Sequence, residues 1–251
     1  MRNQGLSENT INEHSRGLVK YKKIGGDLKW SEEKTVDFIK ENYNEGSERK
    51  IISSTISKYR HYKGKTTETI RDFLRQANAD ASLLQRQKND KLKSNLPDID
   101  FKQMLSKYYR DKDYKNFVIL YLLLNYNTRN QDLVARVVKN ESDLNENENF
   151  LFIRDKDIVY IRNDYKTKDK YGMKRDVIKS KKFFNLVQEL DSLLIDDGNL
   201  DRQVKKVTGG INQSTLFKIM ISQNNNLKGI TKASRNRGTN MNTVASSYDI
   251  T

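Results

Sequence analysis

The chain has 251 residues, enough for one large domain or two modest ones. Its formal net charge of +14 favours a polyanionic partner, nucleic acid first and an anionic membrane surface second. The lack of cysteine excludes disulfides, thiolate zinc sites and cysteine nucleophiles, and with only His14 and His61 present a histidine-based metal site is not expected.

No apolar run reaches membrane-spanning length, and the opening MRNQGLSENT holds no apolar signal core. A soluble, intracellular protein is therefore expected, whether in cytoplasm or nucleus. Apolar residues make up 35%, but they recur with clear periodicity, as in a folded protein rather than a basic tail.

The first part reads as capped helices. Ser7 opens one that runs to about Lys23, closed by Gly25 and Gly26. Ser31 opens a second with Val36, Phe38, Ile39 and Tyr43 on one face. Ser47 opens a third with an Ile51, Ile52, Ile56 and Tyr59 stripe, and Thr67 a fourth with Ile70, Phe73 and Leu74. A charged fifth segment, about 79–93, is either helical or loose. The lone proline, Pro97, follows the polar run QRQKNDKLKSN and places a boundary near residue 95.

Beyond it, Asp100 caps a helix through Met104 and Tyr109, and Asp113 leads into the apolar helix NFVILYLLL, residues 116–124. A short helix is expected from about Asp132 to Val138, then strands near 149–154, 157–163 and 174–178. Helices follow near 181–195, 213–223, 227–236 and 241–248. The expected architecture is mainly α with a small antiparallel β-sheet: a helical domain over 1–94 and a mixed α+β domain over 95–251.

Three residues stand out chemically. Lys166 is expected at a strand end beside a hairpin turn, NDYKTKDKYG, where a side chain is held yet reaches outward; a solvated hairpin is the alternative. Arg129, in NYNTRNQDLVA, follows the apolar helix and suits a phosphate with its planar fork, with Asp132 placed to orient it; an ordinary surface pair is the alternative. Tyr248 carries a hydroxyl able to attack a phosphodiester, given flanking cations to lower a pKa of about 10. Packing of the last helix is its alternative role. KYRHYKGK, residues 58–65, interleaves cations with aromatics, so Lys58, Arg60, Lys63 and Lys65 are candidate phosphate contacts, as are Lys168 and Lys170 in the hairpin.

In this order the segments resemble the tyrosine recombinase (phage integrase) family, in the form carried by large DNA viruses, virophages and related mobile elements. GLSENTINEHSRGLVKY and ISSTISKYRHYKGK resemble helices of its core-binding domain. LLLNYNTRNQDLV is similar to its first arginine motif, IVYIRNDYKTKDKYGMKRDVI to its β-hairpin motif, and RGTNMNTVASSY to its last motif. The resemblance implies a core-binding domain followed by a catalytic domain, clamped on double-stranded DNA as a dimer or tetramer, with no metal or other cofactor. Tyr248 would form a 3′-phosphotyrosyl link, Arg129 would hold the non-bridging oxygens, and Lys166 would protonate the leaving 5′-oxygen.

The second motif, His-x-x-Arg, departs from the family. QSTLFKIMIS aligns with it through Ser214 and Phe217, or one residue later through Thr215 and Lys218, and neither register supplies the arginine. Thr239 stands where the last motif carries histidine. Lys218, Arg235 and Arg237 are the cations that would substitute. Only Asp249, Ile250 and Thr251 follow the tyrosine, whereas family members often continue with a helix exchanged between protomers. This leaves a shortened chain or another mode of subunit joining as alternatives. A recombinase-like DNA-binding protein without catalysis, in regulation or packaging, is the second functional reading; a topoisomerase or telomere resolvase is the third.

Overall fold

The structure, a computed structural model, describes residues 8–44, 47–94, 99–190, 193–195, 197–223 and 226–248. It is mainly helical, with one small four-stranded mixed sheet. Ser7, Pro97 and the three residues after Tyr248 lie outside the described residues. The chain divides into two compact units, Met1–Lys91 and Leu92–Thr251, a boundary three residues before the expected one.

The first unit holds α1 (Glu8–Lys23), α2 (Glu32–Asn42), α3 (Ser47–Tyr62) and most of α4 (Glu68–Ser94). Ser31 caps α2 by accepting the Lys34 N–H at 3.3 Å. Tyr21, Ile39, Ile52, Ile56 and Ile70 interlock at the centre. The buried Glu32 carboxylate accepts the Ile70 N–H at 3.1 Å and so ties the start of α4 to the start of α2. The charged segment left open as helical or loose is helical and continuous with the fourth helix: α4 runs unbroken for 27 residues with neither Gly nor Pro to stop it.

Trp30, before α2, has Phe38 edge-on with ring centres 5.1 Å apart and the Lys34 ammonium 4.6 Å over its ring. Its carbonyl accepts Arg60 Nη1 at 2.7 Å, and Arg60 Nε donates to the Thr66 carbonyl at 3.2 Å. Arg60 is thus buried and stitches the unit together, so it is not the outward phosphate contact that KYRHYKGK suggested. His14 is buried too, between the Thr55 hydroxyl at 2.9 Å and Lys58 Nζ at 2.8 Å. Burial, with the charge of Lys58, holds its pKa below the ordinary value.

The second unit begins with α5 (Phe101–Arg110), capped by Asp100, and α6 (Tyr114–Tyr126), capped by Asp113. The buried residues of α6, from Phe117 to Leu123, form the spine of the core. A 3₁₀ turn, Gln131–Leu133, leads to strand β1 (Ala135–Val138), where a short helix was expected. Four residues, Ala-Arg-Val-Val, are too few to carry a decisive period.

Strands β2 (Asn149–Ile153), β3 (Ile158–Arg162) and β4 (Lys174–Ile178) complete a sheet of order β1-β2-β3-β4. The β1–β2 pair is parallel and the other two antiparallel, which corrects the all-antiparallel expectation. Ile158 and Tyr160 face the main core, whereas Val159 and Ile161 face a smaller apolar cluster on the other side.

No tight hairpin joins β3 to β4: the connection contains a short helix, α7 (Lys168–Tyr171). The helical remainder is α8 (Lys181–Gln188), α9 (Leu200–Val207), α10 (Gln213–Gln223), α11 (Leu227–Arg237) and α12 (Met241–Ser247). Of these, α8 is shorter than expected, and α9 was not foreseen.

Candidate active site

The site is built where the end of α6, the end of β3, the start of β4 and the end of α11 meet. Helix α6 stops at Asn127, whose left-handed φ of 50° asparagine tolerates better than most residues. The chain then turns through Arg129 into the 3₁₀ turn. Asp132 within that turn is fully buried; its Oδ2 accepts the backbone N–H of Arg129 at 3.2 Å and Arg162 Nη1 at 3.5 Å. Asp132 therefore orients the Arg129 backbone, while the guanidinium paired with it is that of Arg162. Burial pushes the Asp132 carboxyl above its ordinary pKa, against the pull of Arg162 and Arg129.

Arg162 was not foreseen. It follows Tyr160 on the inward face of β3, with its guanidinium carbon 5.1 Å over the Tyr160 ring. On β4, Lys174, Asp176 and Ile178 alternate onto that same inward face, and Ile178 lies in the core. Arg162 Nη2 donates to Asp176 Oδ2 at 2.6 Å. Lys174 is half-buried beside the Tyr165 ring, and burial, reinforced by the charge of Arg162, lowers its pKa to about 8.

One buried amide ties the turns together. The Asn149 side-chain N–H groups reach the carbonyls of Gln131, Val134 and Asp164, and its Oδ1 accepts the N–H of Asn163 and Asp164. The loop after β3 is thereby held against the turn that carries Arg129 and Asp132.

Helix α11 brings the fourth cation. Arg237 is buried, its guanidinium carbon 4.1 Å from the Phe217 ring centre and 5.1 Å from that of Tyr248. Phe217 and Tyr248 meet edge-to-face at 4.8 Å. Arg237 Nη2 donates to Gln213 Oε1 at 3.3 Å, but its buried Nη1 has no hydrogen-bond partner among the described residues. Burial lowers its pKa, and it forms no ion pair among the described residues.

The carbonyls that end α11 take hydrogen bonds from the other three cations. Arg129 Nη1 donates to Arg237 O at 2.5 Å, Arg162 Nη1 to Asn236 O at 2.8 Å, and Lys174 Nζ to Arg235 O and Asn236 O at 2.6 and 3.0 Å. The Thr167 hydroxyl donates to Gly238 O at 2.7 Å. A pocket of about 530 Å³ opens beside this junction, lined in part by Arg162, Lys174, Tyr171, Asn236 and Thr239.

Of the residues singled out in the sequence, Arg129, Arg237 and Tyr248 gather here, with Arg237 between the other two. Lys166 does not join them. It lies four residues past the end of β3, exposed, with no hydrogen bond among the described residues. Thr239 stands at the pocket wall, where its carbonyl accepts the Ser234 hydroxyl at 2.5 Å. Arg235 is exposed and contributes a carbonyl rather than its guanidinium. On α10 the buried Phe217, not the half-buried Lys218, faces Arg237. Lys63, Lys65 and Lys170 are exposed, and Lys168 donates to the Glu146 carbonyl at 2.8 Å.

Among the described residues four cations thus stand against two carboxylates, Asp132 and Asp176, which leaves at least two positive charges there without a counter-ion in a partly desolvated cluster. Such an excess is costly unless an anion completes it. Among the described residues no three His, Asp or Glu side chains are placed to hold a metal ion, and no helix is long and apolar enough to cross a membrane. Compared with protein-family models, with curated proteins and with solved structures, the chain matches none of them.

Proposed function

We propose that the chain is a tyrosine-type DNA strand transferase, a site-specific recombinase or integrase, that binds the DNA backbone at the Arg129–Arg162–Lys174–Arg237 cluster. The observation that carries this reading is the buried guanidinium of Arg237, packed on the ring of Tyr248 and with no hydrogen-bond partner for Nη1 among the described residues. A phosphodiester is the anion that supplies both a partner for that donor and an electrophile for that phenol.

In the proposed reaction the Tyr248 oxygen attacks the scissile phosphorus and gives up its proton to solvent water. The bond to the 5′-oxygen breaks, and a 3′-phosphotyrosyl ester forms. Arg129 and Arg237 neutralise the charge that grows on the non-bridging oxygens. Arg237 would supply from α11 the guanidinium that α10 lacks at Phe217. The leaving 5′-oxygen takes a proton from a lysine, which resemblance assigns to Lys166 and position to Lys174, whose pKa of about 8 suits proton transfer near neutrality. The helical unit would act as the core-binding domain, and protomers would assemble on double-stranded DNA as dimers or tetramers.

A pool of nicked duplexes with randomised sequence tests the reading. Wild-type protein is expected to yield a covalent adduct that survives denaturation, and Tyr248→Phe none. If DNA is bound through the cluster but the wild type gives no adduct, the second reading holds: a recombinase-like protein that recognises DNA without cutting it. The altered second motif is what favours that alternative.

A further inference from the structure

We propose that the last turn of α11 is a latch that occupies the cation cluster until DNA displaces it. This regulation rests on reading the cluster as a phosphate site. Backbone carbonyls there stand in for non-bridging phosphate oxygens. Those of Arg235, Asn236 and Arg237 receive Lys174, Arg162 and Arg129, and two of the three ammonium hydrogens of Lys174 are spent this way.

These bonds are separate from the helix's own cap. Helix α11 already closes with a left-handed Gly238, whose N–H returns to the Arg235 and Ser234 carbonyls. The Thr239 N–H also returns to Ser234 O, at 3.1 Å. These caps serve the Ser234 and Arg235 carbonyls, whereas those of Asn236 and Arg237 are held by the cations. The acceptors are neutral carbonyls, so a phosphate oxygen, a stronger acceptor for a cation, can take their place and leave them to water. Arg129 and Lys174 are only partly buried, so they can make that exchange, whereas Arg162 stays fixed by Asp132 and Asp176. The Thr167 hydroxyl on Gly238 O adds a bond that involves no cation, so it belongs to the closed form alone.

Amide hydrogen exchange on the full chain, with and without a 30-base-pair random-sequence duplex, tests the latch. DNA is expected to speed exchange at Gly238 and Thr239 while β3 amides stay unchanged. Thr167→Val, which lacks only the latch hydroxyl, is expected to bind the duplex about five-fold more tightly, the scale of one neutral hydrogen bond. Thr167→Ser is expected to restore wild-type affinity. If the duplex binds while residues 234–241 exchange at the same or a slower rate, and Thr167→Val binds no better, the latch is overturned and the phosphate site stands. If Arg129→Ala and Arg237→Ala leave duplex affinity unchanged, the site reading falls, and the latch with it.

Discussion

Arg162 and Arg237 are both buried guanidiniums, yet they respond to opposite changes. Arg162 sits between two carboxylates, and Asp132→Ala removes one of them from a desolvated guanidinium together with the acceptor of the Arg129 N–H, with an expected loss of about 3 kcal/mol in urea unfolding. Among the described residues Arg237 has no carboxylate partner to lose. Arg237→Met keeps apolar contact with Phe217 and Tyr248 and removes an uncompensated charge, so stability is expected to hold or rise while duplex affinity falls at least about ten-fold. A residue kept for folding would show the reverse. Lys174 reports through pH. Folded, it gives up its proton near pH 8; unfolded, only near the ordinary lysine value. Between those values the unfolded chain holds more protons, so folding gains stability as pH rises, and below pH 8 that slope vanishes. The melting temperature of wild type relative to Lys174→Met is therefore expected to climb from pH 8 to pH 10.

At the scale of elements, the end of α11 makes a double demand on its glycine, for backbone conformation and for space. Gly238 adopts φ +61°, and a Cβ there would meet Lys174 Nζ and Thr167 Oγ1, each at 2.9 Å. Gly238→Ala is expected to cost about 1–2 kcal/mol, read as a lower thermal midpoint. The same helix shows what the sequence made legible. Long periodic helices with caps, such as α2, α6 and α11, were readable because their apolar spacing and their Ser, Asp or Asn caps agree. Helix α9 escaped notice because LDRQVKKV offers only two buried apolar positions, Val204 and Val207. Strand β1 was misread because its partner β2 lies parallel and eleven residues beyond its end, with no turn signal to announce the pairing. At the site, Arg129, Arg237 and Tyr248 were visible as chemistry. Arg162, Lys174 and Asp176 were concealed as strand-end charges, although alternation from Ile178 places Asp176 and Lys174 on the inward face. The register across β3 and β4, which decides their meeting, depends on the loop between the strands and is not written in either strand alone.

For the whole molecule, an excess of 14 positive charges would make ionic strength the leading control on the proposed DNA binding. Labelled-duplex anisotropy between 50 and 200 mM salt is expected to give a log–log affinity slope on the order of −4 to −7, as four or more phosphates shed counterions. Lys63 and Lys65 of the helical unit are exposed, and replacing both with alanine is expected to flatten that slope by about 2 without altering stability. Arg60→Ala would instead damage the fold of that unit, because its guanidinium bridges two backbone carbonyls.

The only tryptophan, Trp30, belongs to the helical unit, and Arg60 grips its carbonyl. Its emission is a built-in dye for one half of the chain. Excitation at the red edge of indole absorbance follows the loosening of the first unit, while circular dichroism averages both. A denaturation curve recorded by the two signals side by side therefore separates two melting events without any label, and disagreement between them assigns the weaker half.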